Sequence, residues 1–144
     1  MKTWEQLRAA HAWAFLDASI GKQAGASRGA EWLQRLRQCA RETPGNVLTL
    51  GLATTMAMLA AEDANSAQHA VFDCCSRWLF GEACPLCTIE HGDLLRALCV
   101  DCSPLDYFNA QTETEQFLLW LKKLAVARID DKGATRFAPV PHGS

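Results

Sequence analysis

Thr112-Glu113-Thr114-Glu115-Gln116-Phe117-Leu118-Leu119-Trp120-Leu121-Lys122-Lys123-Leu124-Ala125 reads as one amphipathic helix. Phe117, Leu118, Leu121, Leu124 and Ala125 recur at the 3.6-residue period, so they share a face that needs a partner. Thr112 with Glu115 fits a capping box, which places the helix start there and its end near Ile129. The same period recurs toward the N-terminus. Trp4, Leu7, His11, Ala14 and Phe15 mark a helix from Thr3 to about Ile20, with Thr3 and Gln6 as its capping box.

Between these two ends the pattern stays helical. Ser27 is the expected cap of a second helix whose core side is Trp32, Leu33, Leu36 and Ala40, and Thr43-Pro44-Gly45 is expected to stop it. Asn46 then opens an apolar helix from Val47 to Ala61, expected at the centre of the core, with Gly51 admitting a close neighbour. Asn65 with Gln68 would cap a fourth helix carrying Val71, Phe72, Cys75, Trp78 and Leu79 inward. A short helix over Asp93 to Cys99 and a turn over Pro104 to Phe108 complete the series. No segment has the two-residue period of a strand, so the fold class is all-α: a single-domain bundle of about six helices over residues 1–129. Residues 130–144, where glycine and two prolines replace periodicity, are expected to form a flexible, mobile tail.

The chain has 144 residues, enough for one core without staples. At 49% hydrophobic and 21% charged it has the composition of a packed globular protein. Its formal net charge of -2 excludes bulk attraction to nucleic acid, leaving local basic patches as the only electrostatic route. The start, MKTWEQLRAAHAW, lacks an unbroken apolar region and does not read as an export signal. Val47 to Ala61 is too short for the roughly 20 residues that span a bilayer. Seven cysteines are an odd number for a disulfide scaffold, so reduced thiols or metal thiolates in the cytoplasm are expected.

Cys84-Pro-Leu-Cys87 and Cys99-Val-Asp-Cys102 are two C-x2-C knuckles eleven residues apart. Two such turns can complete a tetrahedral thiolate shell around one zinc, and four protein ligands would make that site structural. His91 stands close enough to replace one cysteine. The other reading makes Cys99 a core residue beside Leu95 and Leu98, and Cys102 a turn residue. Cys39, Cys74 and Cys75 fall on helices, where free cysteine is usually a small buried hydrophobe. Enzyme signatures are missing: no βαβ neighbourhood for dithiol chemistry, no H-x-E ahead of P-C-x-x-C, no Walker loop, no G-x-S-x-G and no HExxH. His11, His69, His91 and His142 are scattered along the chain.

Several short motifs in one order resemble the small α-helical subunit of type III-B CRISPR (Cmr) RNA-guided effector complexes. The segment from Thr112 to Ala125 is similar to that family's C-terminal signature, a threonine and glutamate followed by WLK and an alanine. Leu7-Arg8-Ala9 after Glu5-Gln6 resembles its opening, and Gly51-Leu52 leading to Ala57-Met58-Leu59 resembles its middle helix. Asp93-Leu94-Leu95, then Asp101 and Tyr107, fall in the family's order. The resemblance covers residues 3 to 129. Two features depart from it: the cysteine quartet, and leucine at Leu124 where an aromatic is common.

The resemblance implies a non-catalytic helical subunit, stacked in several copies beside the backbone and large subunits along the channel of guide RNA and target RNA. It implies no membrane and no small-molecule substrate. The cations it nominates for RNA are Arg28, Arg35, Arg37 and Arg41 on the second helix, Lys122, Lys123 and Arg128 on the last, and Arg8 and Lys22 near the start. Arg37 and Arg41 share a face, as do Arg28 and Arg35. These residues also read as solvated faces, and the lysines near the last helix's C-terminus suit its dipole, as Glu113 and Glu115 suit its N-terminus. Aromatics do not interleave with the charges along the sequence, so contact with the RNA backbone and no base readout is expected. Two other readings stay open: a zinc-stapled helical module that binds only proteins, and a thiol enzyme.

Overall fold

The fold is that of a computed structural model describing residues 1–82, 84–89 and 92–136. Among these described residues it contains six helices: α1 (Trp4–Gln23), α2 (Gly29–Leu50), α3 (Leu52–Ala60), α4 (Ala67–Leu79), α5 (Leu94–Arg96) and α6 (Pro104–Arg128). A π-turn over Ala97–Asp101 continues α5. Among the described residues the sole extended pairing is an isolated bridge between Ile129 and Thr135, so the bundle is all-α as expected. His91 and the end of the tail, His142 included, lie outside the described residues.

α6 is the axis of the bundle. Ala110, Thr114, Phe117, Leu121 and Ala125 are buried along one stripe against α1 and α2, while α4 packs on α2 and α3 on both. Its start differs from the expected one. Ser103 accepts from the Asp106 N–H at 3.1 Å and Pro104 occupies the first turn, where its missing N–H costs nothing. Thr112 and Glu115 are therefore mid-helix residues and cap nothing. The N-terminal box is as read: the Thr3 hydroxyl accepts from Gln6 N–H at 3.1 Å and Gln6 Oε1 accepts from Thr3 N–H at 2.8 Å.

α2 runs through Pro44 and breaks at Gly51 instead. The buried residues Leu33, Leu36, Ala40, Thr43 and Val47 form one stripe across the proline, and this continuous burial outweighs the roughly 3 kcal/mol intrinsic cost of a mid-helix proline. The Thr43 hydroxyl donates to the Cys39 carbonyl at 2.7 Å inside that turn. Gly51 sits at φ 88° and ψ 164°, a backbone region essentially reserved for glycine. A Cβ there would meet only the Tyr107 hydroxyl at 3.7 Å, so its backbone conformation, and no close neighbour, requires the glycine.

No side chain of the Gly51 junction caps α3. Two residues of α6 do so from across the core: Gln111 Oε1 accepts from Leu52 N–H at 3.1 Å, and the Tyr107 hydroxyl from Ala53 N–H at 3.0 Å. The apolar segment is thus two helices that share the core unequally, with Leu52 and Met56 fully buried and Leu48, Leu50 and Met58 exposed. α4 starts one residue later than expected, Ser66 accepting from His69 N–H at 3.1 Å. α2 has no side-chain cap, since Arg28 and not Ser27 takes that position.

The first part of the tail is folded. Asp130 Oδ1 accepts from the N–H groups of Lys132 and Ala134 at 2.9 and 2.8 Å, and Arg136 N–H donates to the Arg128 carbonyl at 2.7 Å. Gly133, at φ 81°, seats this turn on the Ala30 backbone at the start of α2, where a Cβ would collide with the Ala30 carbonyl.

Candidate nucleic-acid interface

The nominated cations separate into two kinds. Arg8 is not open to a ligand: its Nε and a terminal nitrogen donate to both oxygens of Glu113 at 2.7 and 2.8 Å. The same carboxylate accepts from the indole N–H of Trp4 at 2.7 Å and of Trp78 at 3.0 Å. Glu113 is buried facing α1 and α4, and with α6 starting nine residues earlier than its expected cap would place it, the residue lies well inside the helix. Burial pushes the Glu113 carboxyl up, but the Arg8 guanidinium and the two indole donors outweigh it and hold it below its ordinary value. Trp78 stacks on Phe117 with centroids 5.5 Å apart, and the His11 ring lies 5.2 Å from Trp78, which closes an aromatic wall around the carboxylate.

Arg128 is the second internal cation, 1% exposed. It donates to Asp17 at 3.0 Å and lies 4.0 Å from the Trp13 ring centroid. Its Nε and other terminal nitrogen have no acceptor among the described residues, and the indole face is what attracts that part of the charge. Both arginines tie α1 to α6, and neither presents its guanidinium on an outer face.

Lys22, Arg28 and Arg35 are exposed and come together around Trp32. A groove of about 430 Å³ between α1 and α4 is lined by Lys22, Arg77, Phe15 and Trp32. A second depression of about 200 Å³, on the other side of Trp32, is lined by Arg28 and Arg35. The Trp32 indole N–H donates to the Asn65 carbonyl at 2.9 Å, which fixes the ring as the ridge between the two. Arg35 is held loosely by Glu31 at 3.2 Å, an exposed i,i+4 pair worth a few tenths of a kcal/mol at most. Aromatic and cationic groups therefore do interleave, in space and across three helices.

Arg37, Arg41, Lys122 and Lys123 line neither depression. Arg41, Lys122 and Lys123 are exposed; Lys123 lies 5.6 Å above the Trp120 ring. Arg37 is half-buried with its Nε lacking an acceptor among the described residues. The cation that sequence reasoning missed is Arg77. It stands in the last turn of α4, where a basic residue suits the helix dipole, and nothing in the sequence shows that α4 faces Lys22.

The two cysteine knuckles place their thiols in different surroundings. Cys84-Pro85-Leu86-Cys87 is a turn closed by the Cys87 N–H on the Cys84 carbonyl at 3.1 Å; it drives Cys84 and Leu86 into the core and leaves Cys87 exposed. Cys99 is exposed on the π-turn, and Cys102 Sγ lies 3.8 Å from the Leu98 carbonyl. No group of three or more metal-binding side chains forms among the described residues. All seven cysteines are free thiols. Burial pushes the Cys75 thiol up to about 12, and burial with the nearby Glu113 carboxylate pushes Cys84 up to about 11. Cys39, Cys74 and Cys102 are raised by burial too, the opposite of what a thiol nucleophile needs.

The model of one protein family, described as CRISPR-associated protein (Cas_Cmr5), matches residues 4–128, which is α1 through α6. The chain belongs to the Cas_Cmr5 family. It is a family of small subunits of type III-B Cmr complexes, as the motifs around Gly51, Tyr107 and Lys122 imply. No curated protein and no solved structure matches the chain. The Cas_Cmr5 match ends at Arg128, and the folded turn that follows it lies outside the matched region. No helix among the described residues is long and apolar enough to cross a membrane.

Proposed function

We propose that this Cas_Cmr5 chain is a non-catalytic subunit that stacks in several copies beside the backbone and large subunits of a cytoplasmic effector complex. It contacts the sugar-phosphate backbone of target RNA through its open cations. The observation that carries the reading is the gathering of Lys22, Arg28, Arg35 and Arg77 around Trp32, on a chain whose overall net charge is -2. Four such cations neutralise about 2 to 4 phosphates, and each contributes a salt slope near -0.7 on a single strand. One copy alone binds RNA weakly. Stacked copies convert later contacts into intramolecular ones and raise avidity without a new type of contact. The surface also offers strongly exposed Val100, Leu105 and Phe108 near the start of α6, the kind of apolar surface that association between subunits covers.

The test is target-RNA retention by the reconstituted complex across a salt series. One variant combines Lys22→Gln, Arg28→Gln and Arg35→Gln; a second combines Lys122→Ala and Lys123→Ala. The variant at Lys22, Arg28 and Arg35 is expected to lose retention at least tenfold and to flatten the salt slope. Complexes that assemble with both variants and hold RNA with unchanged affinity and slope would refute the reading.

A further inference from the structure

Resting on the RNA reading above, we propose that the groove between α1 and α4 is a seat for one ribonucleotide of a single strand. Its base lies on Trp32 and Phe15, its phosphate between Lys22 and Arg77, and its ribose hydroxyl on Asp73. The groove of about 430 Å³ falls within the size range of small-ligand sites. Its two cations come from different helices and line one volume, so both are available to a single phosphate. Trp32 is held at its indole N–H by Asn65, which leaves the ring face as its means of contact. Aromatic faces accept any base, so the seat is sequence-tolerant, as a subunit that serves every guide must be.

Asp73 gives the seat its chemical class. Its carboxylate lines the same groove, and among the described residues its nearest basic side chain is His69 at 3.8 Å, too long for a hydrogen bond. An ionised carboxylate only accepts, and it would repel a phosphate, so it suits the hydroxyl of a ribose. The 2′-hydroxyl is the group by which a protein separates RNA from DNA. The groove floor agrees. His11 Nε2 lies 3.1 Å from the Cys74 carbonyl, which can only accept, so that nitrogen carries the proton and Nδ1 is a further acceptor. Burial, then the Arg77 charge, holds the His11 imidazole below its ordinary pKa and thus neutral, so the floor adds no positive charge to compete for the phosphate.

The full-length chain is titrated with AMP, dAMP, adenosine and a short single-stranded oligoadenylate, following the indole N–H resonance of Trp32 and the ring resonances of His11. Saturable shifts at both residues are expected, with the oligomer tighter than AMP. AMP should be tighter than dAMP and than adenosine by about tenfold each, the worth of one charge-assisted contact. Asp73→Ala should bring AMP and dAMP to equal affinity while leaving adenosine weaker than AMP. Lys22→Gln with Arg77→Gln should bring AMP down to adenosine. Resonances that stay still with all four probes overturn the seat, as does an AMP to dAMP ratio unchanged by Asp73→Ala. AMP as tight as the oligomer overturns the strand assignment in favour of a free nucleotide. These outcomes are separate from the fate of the RNA reading, which stands or falls on retention by the assembled complex.

Discussion

Arg8 and Lys22 sit on the same helix, four turns apart, and meet opposite fates. Arg8 is closed into a carboxylate shared with two tryptophans, whereas Lys22 stands at the rim of a groove with no carboxylate within ion-pair distance among the described residues. The pair teaches that a cation's role in this bundle is set by which helix α1 meets at that height. Near its start α1 meets the middle of α6, which carries Glu113; near its end it faces α4 and Trp32, where small residues leave space. A positive side chain is therefore a structural part at one end and an available ligand at the other.

The largest effect should come from the closed end. Glu113→Gln leaves the Arg8 charge partly buried without its counter-ion, and removal of one partner of such a pair costs about 3 kcal/mol or more. For a chain of this size a drop in melting temperature of roughly 10 °C is expected in a thermal melt. Adding Arg8→Met to Glu113→Gln removes the orphaned charge and should recover about half of the loss, a coupling that a double-mutant cycle reads directly. Equal and additive losses would mean that the pair contributes only packing.

Acid should reproduce part of that effect. The Glu113 carboxyl has a folded pKa below its ordinary value of 4.5, so it contributes stability that is fully present above pH 4.5 and is lost as pH falls through the lower folded value. The stability gap between the wild-type chain and Glu113→Gln should accordingly narrow below pH 4.5 and be constant above it. Denaturant unfolding at several pH values measures this. A gap that widens in acid would reverse the sign assigned to the group.

Much of this architecture is legible in the sequence, and the losses have physical causes. Periodicity finds the helices, because each must bury a stripe whatever its neighbours are. Boundaries failed where tertiary burial overrode local chemistry: Pro44 reads as a stop, yet the stripe from Leu33 to Val47 continues through it. Thr112 and Glu115 match a capping box, but Ser103-Pro104 with Asp106 is the start that forms. The role of Glu113 was out of reach, since the dipole argument needs only its distance from a helix end, while its real partners are 35 to 109 residues away. Arg77 and Trp32 were missed as site residues for the same reason. The knuckle spacing gives the separation of the sulfurs along the chain and says nothing of the turn that sends Cys84 inward and Cys87 outward.

A smaller effect is expected at the turn after α6. Gly133→Ala places a Cβ against the Ala30 carbonyl at a backbone angle that alanine adopts at a cost of about 1 to 2 kcal/mol. The turn can undock to relieve this, so the bundle should keep its melting temperature within a few degrees while amide protection at Ala134 and Arg136 collapses. Hydrogen exchange distinguishes the two, and unchanged protection there would show that the seat on Ala30 is loose. Chelator should do less still. With Cys84 buried and Cys87 and Cys99 exposed on separate turns, protein purified without chelator should carry well under one zinc per chain and melt unchanged in its presence. One equivalent of zinc, with Cys87 and Cys99 protected from a thiol reagent, would mean that the loop closes into the four-sulfur site.

The smallest stability effect among the substitutions belongs to the open end, and it completes the comparison. Lys22, Arg28 and Arg35 are exposed, and their one ion pair among the described residues is the surface contact of Arg35 with Glu31. Such positions change stability by no more than about 0.5 kcal/mol when neutralised. Lys22→Gln, Arg28→Gln and Arg35→Gln together should therefore leave the melt within about 2 °C of wild type, against the roughly 10 °C expected for Glu113→Gln. Removing three positive charges from a chain of net charge -2 makes it -5, so a slight loss through self-repulsion at low salt is expected, and it should vanish at high salt. A fall of many degrees, persisting in salt, would show that these cations are bound into the fold as Arg8 is. The division between a closed and an open end of α1 would then be lost, and with it the ground for assigning Lys22 to a ligand.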